Sequence, residues 1–324
     1  MRAAPPPSRA SARRASSLSR MSFITPCPAE SGSKMHTTAC SGAAGSVAGL
    51  VAGLASPPKP AYKRPMTEPP SAATLLQQGL FHHRQGQLGL AMDRYTDVLR
   101  NDPKNADALY YVAVVACQEG QYKQGAELAR RAIEIGPPQA RVHNLLGQAH
   151  DRLGEPLEAV KNYDQAIAID PNFAEAHGNR AGILTDAGFP DEALKSYDRA
   201  LALNPNSTVD WVNRGALLLG LGRMPEAIES CDRAIAIDAK SPIAYFGRAN
   251  ALKASKRLED ALAGYDGVIA LDAKFAEAHL GRASVLEAMG RVEEARESKE
   301  KADAIKAQAQ QASALPRESG DLVL

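Results

Sequence analysis

The sequence predicts an all-α protein, an α-solenoid of seven helix–turn–helix repeats. Three observations carry this. One pattern returns every 34 residues from Ala72 to about Ala309, with no insertion or deletion. Inside six of the seven periods a glycine separates two stretches with helical spacing of apolar residues. One such unit cannot bury its own apolar faces, so neighbouring units must stack on one another.

The repeats begin at Ala72, Ala106, Ala140, Ala174, Thr208, Pro242 and Ala276. In the first helix, position 8 is small in every repeat (Gly79, Ala113, Gly147, Ala181, Gly215, Ala249, Ala283), which lets a second backbone come close. Position 15 is Gly86, Gly120, Gly154, Gly188, Gly222 and Gly290, with Lys256 in the sixth repeat, and there the first helix ends. Pro156, Pro190 and Pro225 follow where a helix accepts proline in its first turn. In the second helix position 20 is small again, from Ala91 to Ala295, and position 24 carries Tyr95, Tyr163, Tyr197 and Tyr265 as filling between helices. Pro103, Pro137, Pro171 and Pro205 at position 32 stop the second helix.

A charged pattern runs through the later repeats. Position 7 is Arg180, Arg214, Arg248 and Arg282, and position 25 is Asp164, Asp198, Asp232 and Asp266. Offset by one repeat, the two sets match, which predicts an inter-repeat ladder of Arg180 to Asp164, Arg214 to Asp198, Arg248 to Asp232 and Arg282 to Asp266. Arginine suits such a joint because its planar fork stays charged when partly buried. The plain alternative is a set of exposed charges copied with each repeat.

These residues resemble the tetratricopeptide repeat family over 238 of the 324 residues. Trp211 and Tyr245 match the family's aromatic at position 4, where His143, His177 and His279 stand instead and are read as alternative packing. The runs YDQAIAID, YDRALALN and CDRAIAID resemble bacterial arrays and the repeat arm of O-GlcNAc transferases. The resemblance implies a right-handed superhelix whose first helices line a concave groove for an extended peptide or a partner helix. Carried over by position, the candidate groove residues are Asn144, Gln148, Arg152, Asn179, Thr185, Asp186, Asn213, Phe246, Asn250 and Lys253. Asn179 and Asn213 share the position at which the transferase arm holds peptide backbone; an asparagine there can equally satisfy local structure. The lysine, asparagine and arginine set that chaperone-binding members use for a carboxylate is not matched, since Leu76 and Leu80 stand in its place in repeat one.

Composition agrees with an all-helical chain, 44% hydrophobic and only 5% aromatic. The net charge of +1 hides an asymmetry. Residues 1–70 hold nine lysines and arginines against Glu30 and Glu68, so the repeats are mildly acidic, which argues against a nucleic-acid partner. That leader is rich in Pro, Ser, Ala and Arg, and its composition predicts disorder. Three readings of it stand: a targeting peptide, a signal peptide from Met35 with Val47 to Leu54 as its apolar run, and a true start at Met66, the preferred one. The expected location is cytoplasmic, with export or organelle targeting through residues 1–55 as the alternative. No apolar run is long enough to span a membrane.

Cys27, Cys40, Cys117 and Cys231 form no CxxC pair, so no disulfide or zinc framework is expected. His82 and His83 are adjacent, hence about 100° apart on a helix, and poorly placed to share a metal. No phosphate loop, nucleophile elbow or metalloprotease helix occurs, and no cofactor is expected. A polar second helix in repeat seven, with Glu297, Lys299, Glu300, Lys301 and Asp303, is expected to cap the array and mark its end, with Pro316 stopping helix and a flexible tail over 310–324.

The function expected is a non-enzymatic adaptor that binds a protein or peptide in its groove. The alternative is a substrate-recruiting arm related to O-GlcNAc transferases, serving a separate catalytic chain. Self-assembly into a structural array is a third reading, and oligomeric state and partner identity are not encoded in any motif.

Overall fold

The computed structural model describes residues 70–314. Fourteen helices follow in consecutive pairs, with no strand among the described residues. They are α1 (Ala72–Arg84), α2 (Leu88–Asn101), α3 (Ala106–Gln118), α4 (Tyr122–Ile135), α5 (Ala140–Arg152), α6 (Pro156–Ile169) and α7 (Ala174–Ala187). Then come α8 (Pro190–Leu203), α9 (Thr208–Gly220), α10 (Met224–Ile237), α11 (Pro242–Ala254), α12 (Leu258–Leu271), α13 (Ala276–Ala288) and α14 (Val292–Ala314). Two compact units part inside α7, between Ile183 and Leu184. The readings made of the leader, its alternative starts, Cys27, Cys40 and Pro316 fall outside the described residues.

Each pair is closed by the residue at position 15. The six glycines there have φ between 71° and 83°, and Lys256 is forced to φ 61°. That left-handed residue lets the next amide reach back into the first helix: Gln87 donates to the His82 carbonyl at 2.9 Å and Arg257 to that of Leu252 at 3.0 Å. Consecutive pairs are joined by a second device. Asp102, Asp170, Asn204, Asp238 and Asp272 cap the second helices and accept a hydrogen bond from the amide two residues on, at 2.9–3.3 Å. Asn105, Ser207 and Ser241 then cap the next first helix.

The tyrosines at position 24 explain the small residues opposite. In the first unit a Cβ on Gly79 would fall 2.3 Å from the Tyr95 ring, and one on Gly147 would fall 2.6 Å from Tyr163. In the second unit Tyr265 uses a different clearance, the next repeat's Gly281, at 2.4 Å. All three rings are essentially solvent-free, so the close backbone approach exists to seat them. Around Tyr95 lie Leu75, Val98, Leu109 and Val112; around Tyr265 lie Phe246, Leu252, Val268 and Val285.

The histidines at position 4 are more than alternative packing. His177 donates from Nε2 to the Pro171 carbonyl at 3.1 Å, and His279 does the same to Ala273 at 3.2 Å. Trp211 donates from Nε1 to Pro205 at 2.9 Å. Each ring N–H thus ties a first helix to the linker before it, a role phenylalanine cannot fill. His143 lacks this bond. Its linker begins with Gly136 instead of an Asx residue, the chain turns differently there, and Nδ1 of His143 is left buried without a partner.

The last helix runs past the seventh repeat: α14 continues through Gln310 to Ala314, so residues 310–314, expected as the start of a flexible tail, are helical. The run of alanine and glutamine in that stretch favours helix, and no proline interrupts it before residue 314.

Candidate functional site

The first helices of successive pairs meet directly. In the second unit α9 packs on α11 and α11 touches α13; in the first, α3 touches α5. Side chains at equivalent turns of these helices therefore recur on one face.

In the first unit three of the candidate groove residues form one network with Glu175. Asn179 donates to Oδ1 of Asn144 at 3.1 Å, Asn144 donates to Oε1 of Glu175 at 3.1 Å, and Gln148 donates to the same oxygen at 2.8 Å. Asn144 is buried, and its amide both donates and accepts within the protein. Glu175, the carboxylate that gathers two amides, escaped the sequence reading. Arg152 is exposed at the end of α5. Beside this network Arg141 reaches back to the preceding repeat, donating to Asp107 at 2.5 Å and to the Tyr111 hydroxyl at 3.2 Å with its guanidinium 4.6 Å from the Tyr110 ring centre.

In the second unit three candidates converge on Tyr265. Phe246 was expected on the groove surface, but it is only 8% exposed and packs 5.1 Å from Phe275 and 6.0 Å from Tyr265. It is a core residue, because the linker that ends its own repeat brings Phe275 over it. Asn250 accepts the Tyr265 hydroxyl at 2.6 Å, which satisfies a buried phenol whose pKa burial pushes well above the ordinary value. Lys253 stands 5.9 Å from the same ring, half-buried, and burial holds its ammonium below the usual lysine pKa. Asn213 is half-buried and makes no side-chain hydrogen bond among the described residues. Thr185 is half-buried and Asp186 exposed.

The arginines at position 7 stand against the aspartates of the repeat before. Arg180 meets Asp164 at 2.6 Å, Arg214 meets Asp198 at 2.8 Å, and Arg248 and Arg282 meet Asp232 and Asp266 at 2.6 Å each. Serines at position 23 complete two of these joints and were not anticipated. Arg214 donates from Nη1 to Ser230 at 2.8 Å and Arg282 to Ser298 at 2.7 Å, both serines being buried. Where position 23 is Gly264 no such bond forms, and Arg248 is the most exposed of the four at 35%. The recurrence of serine at one register was the signal available in the sequence.

His82, His83 and His150 are bonded within the protein. His82 bonds Gln87 at 2.7 Å while His83 bonds Gln118 at 2.8 Å, so the adjacent pair diverges. Buried His150 accepts from Arg130 at Nε2 and donates from Nδ1 to Glu155. Among the described residues no group of three or more His, Cys, Asp and Glu is placed to hold a metal. Cys117 and Cys231 are buried thiols, their pKa values pushed up to about 11 and about 12 by burial. No described helix is long and apolar enough to cross a membrane.

Family models for the tetratricopeptide repeat match residues 82–149, 144–208 and 186–242. Solved structures share the fold. A tetratricopeptide repeat protein from Parabacteroides merdae is 18% identical, with 72% of this chain and 93% of that one covered at a TM-score of 0.56. Pseudomonas aeruginosa PilF is 22% identical, covering 64% and 91% at 0.54. A chain of the APC/C hetero-tetramer Cut9–Hcn1 is 17% identical, covering 66% and 42% at 0.60. None of the curated proteins compared with the chain matches it.

Proposed function

We propose that this chain, which carries tetratricopeptide repeats, is a non-enzymatic scaffold that holds a protein partner as an extended peptide or helix against its first helices. The observation that carries the reading is an amide left unused on the first-helix face, in repeats whose arginines and aspartates are matched within the chain. On the first-helix side of residues 184–314, Asn213 keeps an amide unused by the protein. A half-buried amide supplies both a donor and an acceptor, the pair that an extended backbone needs. The network of Asn144, Asn179, Gln148 and Glu175 serves differently: it fixes side chains in place, so less entropy is lost when a partner docks on them.

Site-specific photo-crosslinking tests this. A photoreactive residue is placed at Asn213 in one sample of the full chain and at exposed Glu229 on α10 in another, and covalent adducts from the native cell are compared. The reading expects a discrete protein adduct from position 213 and not from position 229. Equal adducts from both, or adducts from 229 alone, would overturn it.

A further inference from the structure

The first-helix face of the second unit carries an unbalanced cation. Of the lysines and arginines in residues 184–314, only Arg214, Arg248, Arg282 and Lys253 are drawn out of solvent. Each arginine holds an aspartate. Among the described residues Lys253 has no carboxylate within ion-pair distance. Its own helix, α11, contains no acidic residue at all. The carboxylate at the equivalent turn of the next repeat, Glu287, is already taken by Lys299 at 2.5 Å. Nor does the Tyr265 hydroxyl turn to the ammonium, since it is given to Asn250.

Around Lys253 the same face is largely apolar, with exposed Glu277 standing on α13 at the turn equivalent to Ile243. The turns of α9 equivalent to those of α11 bring Val209, Val212 and Leu219, and Ile243 and Leu280 continue it on α11 and α13. Val209 is 44% exposed, so this surface is accessible. A partly desolvated ammonium without a counter-charge is unfavourable for the free chain, and burial accordingly lowers the pKa of Lys253. A carboxylate delivered by a partner removes that cost, and an apolar neighbour strengthens the pair by excluding water.

The geometry points to a partner segment that is extended, apolar and carries one aspartate or glutamate side chain, laid across α9, α11 and α13 with its carboxylate on Lys253. This rests on the scaffold reading above and gives its partner a chemistry: a basic or uniformly polar peptide leaves Lys253 unpaired and is excluded.

The test uses the full chain and three fluorescent nonapeptides of valine, alanine and serine, acetylated and amidated at their ends. They differ only at the central residue, which is glutamate, glutamine or lysine. Fluorescence anisotropy is expected to show binding of the glutamate peptide and about tenfold weaker binding of the glutamine peptide. Lys253→Met is expected to erase that difference and Lys253→Arg to keep it, with far-ultraviolet circular dichroism reporting that both variants are folded. Equal binding of the glutamate and glutamine peptides, or a preference that survives Lys253→Met, would overturn the assignment. So would failure of all three to bind; in that case a crosslinked partner at Asn213 would leave the broader scaffold reading intact.

Discussion

Arg214 holds Asp198 from the preceding repeat at 2.8 Å through Nε and, through Nη1, Ser230 of its own repeat at 2.8 Å. One guanidinium therefore ties three helices, α8, α9 and α10, and the two partners are unequal. Asp198 is 58% exposed, while the arginine side chain is 19% exposed. Replacing Asp198 with Asn lets water take over, and a loss below about 1 kcal/mol is expected. Arg214→Met removes both bonds and should cost about 1–2 kcal/mol. Urea unfolding of the two variants checks the order. Equal losses would mean that the ion pair, not the serine, sets the joint.

Lys256 offers a stabilising change. It occupies with φ 61° the turn that six glycines fill elsewhere. A side chain there carries a steric penalty that glycine avoids, and the lysine head is exposed with no ion pair to lose. Lys256→Gly is expected to raise stability by about 1 kcal/mol, read as a higher urea midpoint. An unchanged or lower midpoint would show that the φ value carries no strain here.

Seating of the tyrosines sets a different limit. A Cβ at Gly147 would lie 2.6 Å from the ring of Tyr163, which is 1% exposed and has nowhere to go. Gly147→Ala should cost about 1–3 kcal/mol by overpacking. The double variant Gly147→Ala, Tyr163→Leu should recover much of that loss, since the clash is with the ring edge. Additive losses measured by denaturation would place the strain in the backbone instead.

The folded chain should also lose stability in acid through His143. Burial lowers its pKa from the ordinary 6.5, partly offset by a hydrogen bond with the Asn162 side chain. The unfolded chain then binds a proton that the fold resists. The contribution is present above about pH 6.5 and is lost as pH falls through the lower folded value. His143→Phe should flatten the stability profile between about pH 7 and pH 5 relative to the native chain. Parallel slopes for the two proteins would rule His143 out as the source.

By itself the sequence determined what is local or repeats at a constant offset. The 34-residue period, the left-handed turn at position 15 and the proline-tolerant starts of second helices follow from backbone preferences of single residues. The register of Arg180, Arg214, Arg248 and Arg282 against Asp164, Asp198, Asp232 and Asp266 was legible because both sets recur at one spacing. The tertiary structure decided what each side chain does with its polar atoms. Phe246 lies in the core because Phe275 covers it, Asn250 is bound by Tyr265, and Glu175 collects Asn144 and Gln148. The ring nitrogens of His177 and His279 donate to linker carbonyls that only the fold brings within reach. Such roles depend on residues from separate helices or linkers at once, within a repeat or across two. A helical period sets the direction of a side chain; the occupant of the space in front of it decides whether that side chain is buried, bonded or left free.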